Sequence, residues 1–229
     1  MSGMDAATIQ VEEHPLLVIA PFLTRFPHPL ERMTTPPEVL DLLRLDADVP
    51  IERNDDVRRA VRDLLRFGGH RPSGIGKPAP EYLARAVDQG TLDPINLAVD
   101  ICNVVSLHSG FPVGVGDTAR ARPPYSIRIA PKGSSYVFNP SGQEMSLGGL
   151  ICLYDADGPC INPVRDSQRT KTRPETVETL TVVWAPVPHT ERLAQAERWY
   201  RGMLEEAGAR TVDVAVERVA KPGDVAAAD

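Results

Sequence analysis

Cysteine is scarce and unpaired in this sequence of 229 residues: Cys102, Cys152 and Cys160 are an odd number, with no Cys-x-x-Cys spacing. That excludes a disulfide framework and a thiolate zinc site, and it implies a reducing compartment. The apolar run Leu16 to Leu23 is short, is broken by Pro21, and follows Asp5, Glu12 and Glu13 instead of a basic region. Neither a signal peptide nor a membrane span is expected, and the reading is a cytoplasmic protein. A surplus of positive charge is missing too, since 25 Lys and Arg stand against 31 Asp and Glu, a net charge of −6. Nucleic-acid binding would therefore need a local patch. The five histidines, His14, His28, His70, His108 and His189, show no i, i+4 pairing, and there is no Gly-x-Ser-x-Gly elbow. A metal centre and a hydrolase triad are both disfavoured, and no cofactor is expected.

Proline is abundant, at 22 residues, about twice the usual share, so many connections are stiff. A strand is predicted around Pro15 to Phe22, then a Pro-rich passage and a helix from Pro37 to Arg44. Asn54 or Asp55 caps the next helix, which has an acidic start, a basic body and Gly68-Gly69 at its end. A third helix begins at Pro80 and ends near Gly90; a fourth begins at Asp93-Pro94 and is stopped by Gly110 and Pro112. From Tyr125 the pattern becomes strand-like, with short runs at Tyr125 to Ile129, Ser135 to Phe138, Leu150 to Tyr154 and Leu180 to Trp184. Thr190 caps a last helix with Leu193, Ala196, Tyr200, Met203 and Leu204 at core spacing, and Thr211 to Val219 alternates as a closing strand. The expectation is an α+β fold: an amino-terminal strand and Pro-rich extension over residues 1–53 packed on the core, a main domain over 54–219, and a disordered tail over 220–229.

The fourth helix carries the most informative pattern. Asn96, Asp100 and Asn103 fall on one face at helical spacing, while Ile95, Val99, Ile101, Val104 and Val105 make the rest apolar. Polar groups on a buried helix need partners. Either they hydrogen-bond nearby strand ends and fix the fold, or they line a pocket. Two basic patches stand out: Arg58, Arg59, Arg62, Arg66, His70 and Arg71, and then Arg165, Arg169, Lys171 and Arg173. Gly114 to Ala119 matches a dinucleotide fingerprint but follows a helix and leads into Pro123-Pro124, and Gly76-Lys77 lacks the rest of a phosphate loop; both fail on context.

A set of ordered segments resembles a known module. Arg71-Pro72-Ser73-Gly74, Glu81-Tyr82-Leu83, Ile95 through Asn103, Ser106-Leu107, Gly110, Pro112, Asp117, Ser126 to Ala130, Tyr154-Asp155, Asp166-Ser167-Gln168-Arg169-Thr170 and Thr176 to Val183 are similar to the B3/B4 domain. That is the editing region of the bacterial phenylalanyl-tRNA synthetase beta subunit, and the likeness is nearest to its free-standing members. The resemblance implies a three-layer fold with a sandwich-like mixed sheet and packed helices, and a pocket that hydrolyses mischarged aminoacyl-tRNA without a metal. The implied pocket residues are Asn96, Asp100, Asn103, Asp166, Gln168 and Arg169, with Arg71, Lys171 and Arg173 toward nucleic acid. Arg-Pro-Ser-Gly also reads as a rigid structural lead into the domain. Implied partners are a tRNA, an aminoacyl-tRNA or a free amino acid. Two positions depart from the synthetase pattern: its histidine corresponds to Gly114 and its glutamate to Gln168, which cannot ionise. No catalytic residue is named on this basis. A module that binds an amino acid, a tRNA end or a protein without chemistry is the alternative, and the chain cannot aminoacylate by itself.

Overall fold

The computed structural model describes residues 7–220. In chain order its elements are β1 (Thr8–Glu12), β2 (Leu17–Arg25), α1 (Pro37–Asp41), α2 (Asp55–Arg66), α3 (Ala79–Asp88) and α4 (Leu97–Ser109). There follow β3 (Val113–Asp117), β4 (Tyr125–Ile129), β5 (Ser135–Val137), β6 (Glu144–Ser146), β7 (Ile151–Asp155), β8 (Gly158–Ile161) and β9 (Glu178–Pro186). The chain closes with α5 (Thr190–Glu206), β10 (Arg210–Asp213) and β11 (Ala215–Val219).

The strands form a five-stranded sheet in the order β11-β1-β4-β7-β8, a four-stranded sheet in the order β10-β2-β9-β3, and the β5-β6 hairpin. The five-stranded sheet is mixed, since β1 runs parallel to both β11 and β4 while β4, β7 and β8 pair antiparallel. Alternation decides the layers. In β1 and β4 only one side is buried, through Ile9, Val11, Tyr125 and Ile127, whereas every residue of β9 from Thr179 to Pro186 is buried. The four-stranded sheet is thus covered on both faces. On one face lies α5, where Tyr200 meets the Phe22 ring edge-on at 5.1 Å between centroids. On the other lies the five-stranded sheet, whose Ile161 sits under the bare backbone of Gly114 in β3. Helices, sheet and sheet make the three-layer α+β arrangement.

The helix ends follow their capping chemistry. Asn54 accepts from the Val57 N–H at 2.9 Å and Asp55 and Asp56 fill the first turn of α2. Gly110 ends α4 with a φ of 77°, a left-handed conformation that glycine adopts without a Cβ penalty. Several details differ from expectation: β1, β3, β6 and β8 are strands that the sequence pattern did not announce, and α1 ends at Asp41, short of Arg44. The α4 helix starts at Leu97, so Asn96 caps it and is not part of its face. Thr190 is the first residue of α5 and donates its hydroxyl to the Val187 carbonyl, the cap position being His189. The closing strand is two strands, because the chain bends at the buried Val214 and passes from the four-stranded to the five-stranded sheet. A period of two is blind to such a change of sheet.

Among the described residues no helix is long and apolar enough to cross a membrane. The three cysteines are free and buried.

Candidate functional site

The segment Asn162 to Thr172 runs from the end of β8 across the edge of β3 and sets the buried Asn162, Ser167 and Thr170 beside the part-buried Asp166, Gln168 and Lys171. Asp166 occupies the space that a side chain at Gly114 would fill: a Cβ there would stand 3.0 Å from Asp166 Oδ1, 3.3 Å from Oδ2 and 2.2 Å from Ile161 Cγ2. Its oxygens accept from the Val115 N–H at 3.1 Å and the Asn162 N–H at 3.2 Å. Burial pushes this carboxyl up to about 7, and the two N–H groups and the nearby Lys171 ammonium pull only part of the way back. Burial in turn lowers Lys171, opposed by Asp166, and its Nζ donates to the Phe138 carbonyl at 2.6 Å.

Around this carboxylate the β5 strand and the turn after it supply aromatic walls. Tyr136 donates its hydroxyl to the Arg165 carbonyl and accepts from the Asn162 side-chain amide. The Gln168 backbone N–H donates to the Val137 carbonyl at 2.8 Å, while its buried Oε1 has no partner among the described residues. The Arg165 guanidinium lies over the Tyr82 ring at 4.3 Å and the Phe138 ring at 5.0 Å.

The predicted residues divide. Asp166, Gln168 and Lys171 share one short segment, and Asn96 reaches its end, donating to Thr172 Oγ1 at 3.1 Å while its own Oδ1 caps α4 through the Val99 N–H. Asp100 does not join them. It is 1% exposed and saturated, taking the Thr35 hydroxyl at 2.6 Å and the Ile95 N–H at 2.8 Å. It stitches the loop after β2 to the start of α4. Asp100→Ala is expected to cost about 1–3 kcal/mol in urea unfolding, because a buried hydroxyl and an N–H lose their acceptor; an equally stable variant would contradict that role. Asn103 is partly exposed with no side-chain hydrogen bond among the described residues. Arg169 is committed elsewhere, to Asp155 through two bonds of 2.7 and 2.8 Å. Arg71 and Arg173 are exposed. A cleft of about 450 Å³, lined by Arg53, Arg58, Pro78, Glu81, Leu107 and Gly110 among others, contains none of the predicted site residues.

The fold and this arrangement can be set beside known proteins. The model of one family, described as "B3/4 domain", matches residues 66–221. The chain belongs to the B3/4 domain family. The crystal structure of an N-terminal fragment of the phenylalanyl-tRNA synthetase beta-subunit from Pyrococcus horikoshii superposes with a TM-score of 0.56 at 13% identity, over 94% of this chain and 52% of that one. The likeness is one of fold, and this chain spans about half the length of that fragment. A TILS C-terminal domain aligns over 33% of this chain and 71% of its own at 15% identity, with a TM-score of 0.30. No curated protein matches.

Within this B3/4 domain the glycine at position 114 has a physical cause. No side chain fits at Gly114 while Ile161 and Asp166 hold their places. Gly114→Ala is expected to lower stability by about 1–3 kcal/mol through overpacking. Adding Ile161→Ala should return part of that loss, a non-additivity that a double-mutant cycle in urea measures. The residues that sequence reasoning left out of the site are Arg165, Tyr82, Tyr136, Phe138 and Asn162. Arg165 stood in a basic patch, but nothing local distinguishes it from Arg169.

Proposed function

We propose that this B3/4 protein hydrolyses aminoacyl esters carried on RNA, with Asp166 as the proton acceptor. One observation carries the reading: a carboxylate that burial raises to about 7, pinned by two backbone N–H groups in the space vacated by Gly114. A general base works best when it titrates near the working pH. Ionised Asp166 takes a proton from water as the water oxygen bonds to the ester carbonyl carbon. The tetrahedral adduct then expels the ribose oxygen, which leaves with that proton, giving a free amino acid and an RNA hydroxyl. The unpartnered Gln168 Oε1 supplies an acceptor for a donor on the amino acid, an α-ammonium or a side-chain hydroxyl. Asn96, beside Thr172, extends the polar wall. Family membership and the shared fold support this direction.

Binding without turnover is the second reading, and one observation favours it: both Asp166 oxygens are already engaged, so the same carboxylate pegs β3 to the segment after β8. Single-turnover deacylation of tyrosyl-, phenylalanyl- and other aminoacyl-tRNAs separates the two. The hydrolase reading expects ester cleavage that Asp166→Asn removes while the variant stays folded. Binding with no cleavage of any ester would leave the second reading standing.

A further inference from the structure

Arg165 and Lys171 are cations without acidic partners. No carboxylate lies within ion-pair distance of either among the described residues, whereas Arg169 is spent on Asp155 and Arg62 on Glu81. Both touch one residue: the Arg165 guanidinium stacks on the Phe138 ring and Lys171 Nζ donates to the Phe138 carbonyl. The two are close enough that Arg165 helps to lower Lys171. The Arg165 head is also fixed, because its Cζ is stacked on Tyr82 as well as Phe138 while its buried Nε has no hydrogen-bond partner. Holding two part-buried positive groups side by side without a counter-ion costs free energy, and an anion would recover it. A planar guanidinium held by rings presents its remaining donors in a fixed plane, which suits two oxygens on one atom. The acidic neighbour, Asp166, carries only part of its charge at neutral pH.

We propose that Arg165 and Lys171 form an oxyanion-binding subsite at the rim of the Asp166 site, which takes a phosphodiester or a carboxylate of the ligand. This rests on the reading of that site as a ligand pocket and adds the group that anchors the ligand. It also puts Arg165 in the place among the pocket residues that Arg169, held by Asp155, does not fill. The two sources of oxyanion predict different partners: a phosphodiester belongs to the RNA end, a carboxylate to a free amino acid.

Calorimetric titration of the full chain with the trinucleotide cytidylyl-cytidylyl-adenosine, with L-phenylalanine and with L-phenylalaninamide distinguishes them. If phosphate is held, the trinucleotide binds, and Arg165→Met and Lys171→Met each weaken it by about tenfold and flatten its dependence on log salt by about 0.7. If carboxylate is held, L-phenylalanine binds, its amide does not, and the same substitutions remove the difference. Methionine keeps the stem between the rings, so folding is preserved, which thermal unfolding verifies. Arg165→Lys should retain part of the affinity, having the charge without the plane, and Arg198→Met on the exposed side of α5 should change nothing. Binding of neither probe, or binding that both methionine variants leave intact, overturns the subsite. The hydrolase reading fails separately: ester cleavage absent with anion binding intact removes the chemistry and leaves the subsite.

Discussion

Asp166→Asn is expected to slow ester cleavage by about 10²- to 10⁴-fold, the usual worth of a positioned base. The pH dependence makes this specific. In the unchanged protein the rate should climb as Asp166 ionises, reach half its plateau near pH 7 and level off above, because only the ionised form accepts a proton. The asparagine variant should show no inflection in that window. Stability must move in the opposite sense. The folded carboxyl is raised above its unfolded value, so between the ordinary carboxylate range and about 7 the unfolded chain has lost its proton while the folded one keeps it. The slope of stability with pH is then negative across that window. Burying Asp166 weakens the fold at neutral and alkaline pH and costs nothing in acid. Asp166→Asn lacks this slope, although its amide sets a donor against the Val115 or Asn162 N–H and loses about 1–2 kcal/mol at every pH. Compared with the unchanged protein, the variant should gain about 4 kcal/mol between pH 4 and pH 8. Urea unfolding at both values measures that difference. Equal slopes in the two proteins, with unchanged cleavage, would refute the assignment.

Local signals could be read from the chain because they act over a few residues. Asn54, the acidic turn after it and Gly68-Gly69 bounded α2, and Gly110 stopped α4, since caps are satisfied by neighbours in sequence. Of the polar row expected on α4 only Asp100 is buried: Asn103 is partly exposed, and Asn96 is outside the helix because its amide oxygen is more useful on the Val99 N–H. Sheet order was beyond reach. β1 lies between β4 and the last strand, and β2 between β9 and β10, so residues 8–25 are threaded through both large sheets, and no local alternation reports that. The site suffered most from the same blindness. Arg165 and Arg169 are four residues apart with the same charge; what separates them is Tyr82 on α3 for one and Asp155 on β7 for the other. The family resemblance pointed to the segment Asp166 to Thr170 but not to which arginine had a free charge.

Arg169→Met should destabilise the fold by about 1–3 kcal/mol, because the buried Asp155 carboxylate keeps its two backbone donors but loses a partly exposed guanidinium. Its partner Asp155 ends β7 with a side chain that is 0% exposed. Burial pushes that carboxyl up, but the Arg169 hydrogen bonds and the N–H groups of Asp157 and Arg122 outweigh it and hold the group below its ordinary range. Arg169 does more than neutralise: its Nη1 also donates to the Arg120 carbonyl at 3.2 Å, and its own carbonyl accepts from Arg120 Nε at 2.5 Å. The cluster ties the Arg120–Arg122 loop, the end of β7 and the Asp166–Thr170 segment together, so its loss should loosen the segment that positions Asp166. Asp155→Asn with Arg169→Met should cost less than the sum of the two single changes, because the stranded charge is gone. The sign of the pH effect is opposite to that of Asp166. A depressed carboxyl stabilises above its unfolded value and loses that contribution as pH falls, so the Arg169→Met penalty in urea should shrink on going from pH 7 into acid. A variant of full stability that binds RNA less well would return Arg169 to the ligand, and the division of labour between the two arginines would reverse.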